Sequence, residues 1–229
     1  MNNDYEFVFT CLYGSQNYNL DNENSDSDYK MAVVPTIEKV ALEKTKYTKI
    51  HKTENGGQVE VKDIRNTFVA FKKMSLVDLE ILFSKKAIVN KKYKEEFDRL
   101  IEIREELLKA NPYRFYQVIL GTMTSSLKKK YTPKKACQFI RYYDLFDRFL
   151  VKGESFESAL DASKSELYGF MKEVKAGEVE EEKVRKEVDK MVAKVKAYKE
   201  KVPTEINYET YQKLDLILID IFKKKFKEE

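Results

Sequence analysis

Residues 5–34 read YEFVFTCLYGSQNYNLDNENSDSDYKMAVV. Tyr5, Phe7, Val8, Phe9, Leu12 and Tyr13 make residues 5–13 strand-like, and Gly14-Ser15 ends the run. Residues 16–25 are polar and rich in Asn and Asp, which predicts a loop or a short helix. Strand character returns over residues 27–34, and Pro35 closes it. Two strands joined through a Gly-Ser break and an acidic loop are the core of the reading.

Outward from there, residues 46–53 and 58–62 are two short alternating runs around Glu54-Asn55-Gly56-Gly57, the pattern of a β-hairpin. Asp63 has the position of a helix N-cap. Ile64, Thr67, Phe68 and Phe71 follow at helical spacing. From about residue 93 every segment reads as helix: 93–110, 113–130, 134–151, 156–175, 179–201 and 208–226. The breaks fall at Asn111-Pro112, Thr132-Pro133, Gly153, Gly177 and Pro203. The expected class is α+β: a small mixed sheet with helices over residues 1–90, then an all-helical half over residues 91–229.

Hydrophobic residues make up 42% and aromatics 13% of the 229 residues, enough to bury a core and too many for a disordered chain. The net charge of +4 permits a polyanionic partner without requiring one. Cys11 and Cys137 lack metal-type spacing and are read as reduced thiols of an intracellular protein. His51 is the only histidine, which excludes His-rich metal sites. No signal peptide and no run long enough for a membrane span is present, so the expected setting is cytoplasmic, without a membrane partner. Nothing in the pattern points to a particular oligomeric state.

Gly14 after a strand lets the backbone turn tightly and approach a ligand. Its exposed N–H groups and the Ser15 hydroxyl suit phosphate oxygens. Asp26 and Asp28, two residues apart on an extended strand, would point to one side. Two such carboxylates repel unless a cation lies between them, and Mg²⁺ prefers oxygen ligands completed by substrate phosphate. A third carboxylate would hold a second ion and accept the nucleophile's proton. Glu60 is the candidate, because it faces away from Val59 and Val61. Asp63 is the rival, although its place at a helix start already accounts for it.

Gly14-Ser15, a gap of ten residues and Asp26-Ser27-Asp28 resemble the signature of the DNA polymerase β nucleotidyltransferase superfamily. The string from Gly14 to Leu20 (GSQNYNL), with Asn24 to Lys30 (NSDSDYK), more narrowly resembles the stand-alone bacterial and phage nucleotidyltransferases of the RNA-repair, polymerase-β-like group. Residues 59–83 and 131–153 resemble further segments of that family. Its members usually have Gly where Asn19 stands, and often His near Cys137-Gln138.

The resemblance implies Mg²⁺-dependent transfer of a nucleoside monophosphate from a nucleoside triphosphate, such as ATP, to a hydroxyl, with release of pyrophosphate. Asp26, Asp28 and Glu60 would hold two Mg²⁺ ions, for which Mn²⁺ can substitute. Gly14, Ser15 and Lys30 would contact phosphates. Lys134, Lys135 and Arg141 would hold the triphosphate from the helical half; the plain alternative is solvated helix charge. The implied acceptor is an RNA 3′ end, tRNA-like in character. A non-catalytic nucleic-acid-binding or toxin–antitoxin module, and a protein-modifying nucleotidyltransferase, are the competing readings of the same residues. Asp78 and Glu80 are read as residues that cap or brace a helix.

Overall fold

The structure is a computed structural model and describes residues 4–22, 25–42, 47–54, 56–127 and 131–227. It is a mixed α+β protein. In chain order the strands are β1 (Tyr5–Tyr13), β2 (Asp28–Pro35), β3 (Thr48–Lys52), β4 (Gln58–Asp63) and β5 (Ala87–Val89). The helices are α1 (Ile37–Leu42), α2 (Ile64–Lys72), α3 (Leu76–Leu79), α4 (Lys94–Glu102), α5 (Arg104–Lys109), α6 (Pro112–Leu127), α7 (Pro133–Leu145), α8 (Phe156–Leu160), α9 (Tyr168–Ala176), α10 (Glu181–Ala197) and α11 (Tyr208–Phe226).

Two compact units result. The first comprises residues 1–17, 21–110 and 207–229; the second comprises residues 18–20 and 111–206. The boundary therefore falls at Ala110 rather than at residue 90, and the last helix returns to the first unit. Burial gives the reason. Thr210, Leu214, Ile217 and Ile221 form one buried stripe of α11. Arg99 pairs with Asp220 at 2.8 Å, Lys224 with Glu96 at 2.6 Å, and Lys225 with Glu6 at 3.3 Å. The Asn207 N–H donates to the Ala110 carbonyl at 2.8 Å.

In the first unit the sheet order is β3-β4-β2-β1-β5. β2 and β4 run parallel, while the other neighbours are antiparallel. The hairpin β3–β4 forms where the sequence pattern places it. Asp63 caps α2, accepting from the Arg65 N–H at 2.8 Å. Phe68, Phe71, Leu79, Ile81 and Leu82 are buried, as are Val33, Val34 and Phe9. The strand β5, the helix α1 and the turn of α3 are elements that periodicity did not expose, since each is six residues or shorter.

The second unit is helical. Phe115, Phe149 and Phe156 pack ring to ring at 5.1–6.3 Å. The helices expected over 93–110 and 156–175 are broken, at Ile103 and at Asp161. Asp161 stops its helix by capping the next turn: its carboxylate accepts from the Ser163 N–H. α7 runs on through a π-helical stretch, Phe146–Val151. Residues 128–130, expected as a helix end, lie outside the described residues. No described helix is long and apolar enough to cross a membrane. Both cysteines are free and buried, and burial raises the Cys11 thiol to about 12 and the Cys137 thiol to about 11.

Candidate active site

Strand register assembles the site. Tyr13 is the last residue of β1 and pairs with Asp28, the first of β2. Tyr29 pairs with Val59, so Asp28 stands level with Gln58, the first residue of β4. Tyr13, Asp28 and Gln58 thus form one row across one end of one sheet face. The next row on that face, two residues deeper, is Cys11, Lys30 and Glu60.

The end row is tied together. The Gln58 N–H donates to Asp28 Oδ1 at 3.1 Å, and Gln58 Nε2 donates to the Tyr13 hydroxyl at 3.0 Å. Gly14 follows with φ +84°, and a Cβ placed there would lie 3.8 Å from Asp28 Oδ2. The Gly-Ser turn therefore abuts the second aspartate. Burial raises the Tyr13 hydroxyl pKa; the Gln58 hydrogen bond opposes this, and the charges of Asp28, Glu60 and Glu80 add to the rise.

Asp26 differs from expectation, because β2 begins only at Asp28. Gly14 turns β1 away, so no partner strand extends the ladder back to Asp26. The carboxylate is placed instead by the hairpin: a Cβ on Gly56 would lie 3.1 Å from Asp26 Oδ1, and one on Gly57 only 2.2 Å from the Ser27 carbonyl oxygen. Gly56 and Gly57 let the hairpin turn seat against residues 26–27. Asp26 is exposed and makes no hydrogen bond or ion pair among the described residues.

Glu60 and Lys30 pair with each other and with two further charges. Lys30 Nζ lies 2.8 Å from Glu60 and 2.8 Å from Asp78, and Lys62 Nζ lies 3.1 Å from Glu60 and 2.8 Å from Asp78. Two ammonium groups and two carboxylates form a closed tetrad under α3, with Lys30 also 5.1 Å over the Tyr13 ring. Each Glu60 oxygen already faces a lysine. Lys30 is only 6% exposed. Among the described residues, no three His, Cys, Asp or Glu side chains stand together in a geometry that could hold a metal. Asp63 is fully buried and held by Arg65, which accounts for it as a cap.

The Gly14 N–H is likewise taken, donating to Glu80 Oε1 at 3.3 Å. Asn17 Nδ2 donates to the Glu80 carbonyl at 3.1 Å and Asn17 Oδ1 accepts from the Lys85 N–H at 3.0 Å, so the turn after Gly14 is stitched to the segment 80–85. Ser15 opens that turn, and its hydroxyl has no partner among the described residues. Asn19 sits at φ 61°, in the left-handed conformation that the resemblance assigns to glycine.

In the second unit the three basic candidates separate. Lys134 and Lys135 are exposed in the first turn of α7, which Thr132 caps. Arg141 is only 5% exposed; its guanidinium lies 3.7 Å over the Tyr18 ring. Seven residues apart on a helix puts Lys134 and Arg141 on one face, but only the helix end is open to solvent.

Sequence reasoning passed over Gln58, Tyr13, Lys62 and the bond from Gly14 to Glu80. The alternation Gln58, Glu60, Lys62 along β4 carries the signal for part of this, since all three share one face. Ser75 and Asp78, at capping-box spacing and joined at 2.6 Å, carry another.

No protein-family model matches the chain, and no curated protein matches it significantly. The family resemblance therefore rests on the quoted residues.

Proposed function

We propose that the chain is a metal-dependent nucleotidyltransferase that moves a nucleoside monophosphate from a nucleoside triphosphate to a hydroxyl acceptor. The observation that carries this is the abutment of the Gly14-Ser15 turn on Asp28, with Asp26, two residues earlier in the chain, exposed. The Ser15 hydroxyl, a phosphate donor, then follows directly on the turn that abuts the hard carboxylate oxygens of Asp28.

Asp26 and Asp28 are the residues that would hold Mg²⁺ or Mn²⁺; one is exposed and the other is the half-buried end of a strand. A bound cation supplies charge neutralisation at the transferring phosphoryl group. The Ser15 hydroxyl binds a terminal phosphate oxygen and holds the chain for in-line attack. The acceptor oxygen forms a bond to the α-phosphorus, the bond to the bridging β-phosphate oxygen breaks, and pyrophosphate leaves. The acceptor's proton passes to Asp28 or to solvent. An RNA 3′ end is the acceptor that the resemblance suggests, and Lys134 and Lys135 are exposed cations suited to a polyanion.

A second reading, nucleotide binding without transfer, is favoured by one observation: Glu60 is already neutralised by two lysines. Incubation of the full chain with each α-labelled triphosphate, Mg²⁺ and a panel of RNA, DNA and protein acceptors tests both. Label should become covalently attached to an acceptor, and D28A should abolish it. Triphosphate binding with no label transferred to any acceptor would favour the second reading.

A further inference from the structure

The two polar residues of β4 exchange the parts that their chemistry suggests. The position level with Asp28 is the one from which a third side chain could share a cation with it. That position holds Gln58, whose backbone N–H and side-chain amide are spent on Asp28 and Tyr13. The carboxylate, Glu60, stands two residues deeper, roughly 6.5 Å along the strand. There Lys30 and Lys62 hold it, and Asp78 closes the tetrad. Moving Glu60 to the end row would strand two lysine charges in a half-buried setting against one carboxylate, which is costly.

We propose that this centre takes one divalent cation on Asp26 and Asp28, that Gln58 occupies the place of a third carboxylate, and that Glu60 is a positioning residue that anchors Lys30 and Lys62 beneath the site. This rests on the nucleotidyltransferase reading. The neutral side-chain amide orients Tyr13, and the Gln58 backbone N–H holds Asp28, but neither can balance the charge of a second dication. The site is then a one-ion centre by construction, and a carboxylate at position 58 would convert it to a two-ion centre.

The test counts ions rather than turnover. The full chain, with a non-hydrolysable triphosphate analogue present, is titrated with Mn²⁺ while the free-ion paramagnetic resonance signal is followed. The wild type should bind one ion per complex tightly. The double variant E60Q/K62M keeps the Lys30–Asp78 pair balanced; it should bind one ion with affinity within about threefold of wild type, under half a factor of ten in the binding constant. Q58E should take up a second ion. Two tight ions in the wild type falling to one in E60Q/K62M would make Glu60 a ligand and overturn the proposal, while leaving the nucleotidyltransferase reading intact. Neither ion nor analogue bound by the folded wild type would overturn both. If E60Q/K62M does not fold, the wild-type count and the Q58E count decide: two tight ions in the wild type, or no gained ion in Q58E, would each refute the proposal.

Discussion

Lys30 on β2 and Glu60 on β4 are register partners, and their charged ends meet at 2.8 Å. The pair is not isolated. Asp78 and Lys62 complete a ring of alternating charge in which the Lys30 and Asp78 side chains are each only 7% exposed. Two parallel strands and the turn of α3 are thereby joined by ions rather than by apolar contact alone.

Removing one member leaves an uncompensated charge, so D78N should destabilise the first unit by about 3–5 kcal/mol, the range for broken buried pairs. K94A, which breaks the exposed pair with Asp98, should cost about 0.5 kcal/mol or less. Urea unfolding of both variants checks this. The pH dependence has a defined sign. Burial alone would raise the carboxyl pKa values of Glu60 and Asp78, but the lysine partners outweigh it and hold both below their ordinary range. Groups with lowered values stabilise the fold above the unfolded carboxyl range, about pH 4, and that stability is lost as pH falls through the lowered values. For Lys30 burial works to lower the pKa, and the carboxylates raise it overall. Its contribution is present below about pH 10.4 and is lost as pH climbs through the raised value. D78N should flatten the acid limb; an unchanged acid limb would refute the assignment.

Asp26 and Asp28 should both be needed for transfer, yet differ in stability. Asp26 has no partner among the described residues, so D26A should leave unfolding unchanged. Asp28 accepts the Gln58 N–H, so D28A should cost about 1 kcal/mol, the net worth of a typical hydrogen bond. Paired measurement of label transfer and unfolding distinguishes a lost function from a lost fold. Near-wild-type transfer by either variant would move the site elsewhere.

Two glycines make opposite predictions. A Cβ on Gly57 would sit 2.2 Å from the Ser27 carbonyl, a backbone atom that cannot swing away. G57A should destabilise by about 1–3 kcal/mol, as overpacking does, and should weaken nucleotide binding by displacing residues 26–28. Gly121 lies within α6 with nothing within 4 Å of the added carbon. G121A should stabilise by about 0.5–1 kcal/mol through helix propensity alone. Denaturant midpoints measure both.

The basic residues of the second unit should divide by burial. K134A and K135A should leave unfolding unchanged. If they contact the triphosphate they weaken its binding without acceptor present; if they contact nucleic acid they reduce the salt dependence of acceptor binding instead. R141A should lower stability, because the guanidinium is stacked on Tyr18 and nearly buried. Isothermal titration at two salt concentrations, with unfolding of each variant, separates these outcomes. Unfolding of R141A indistinguishable from wild type would show that the stack contributes nothing.

Much of the fold was legible because its signals are local. The run 5–13, the hairpin around Gly56-Gly57, the Asp63 cap and the helix over 208–226 each need only neighbours in sequence. Breaks at Ile103 and Asp161 were missed because neither residue is a strong helix breaker; the stop at Asp161 comes from a cap bond that propensity does not reveal.

The sequence by itself determined the class, the two-strand Gly-Ser to Asp-x-Asp segment and the alternation that turns Glu60 away from Val59 and Val61. Only the tertiary structure decided what Glu60 meets on that side. Strand register is set by pairing between segments some thirty residues apart (Lys30 with Glu60), and one step of register changes every facing partner. Register placed Gln58 rather than Glu60 beside Asp28. The turn of α3 then brought Asp78 over Lys30 and Lys62, so that the two lysines and two carboxylates form a charge-balanced tie.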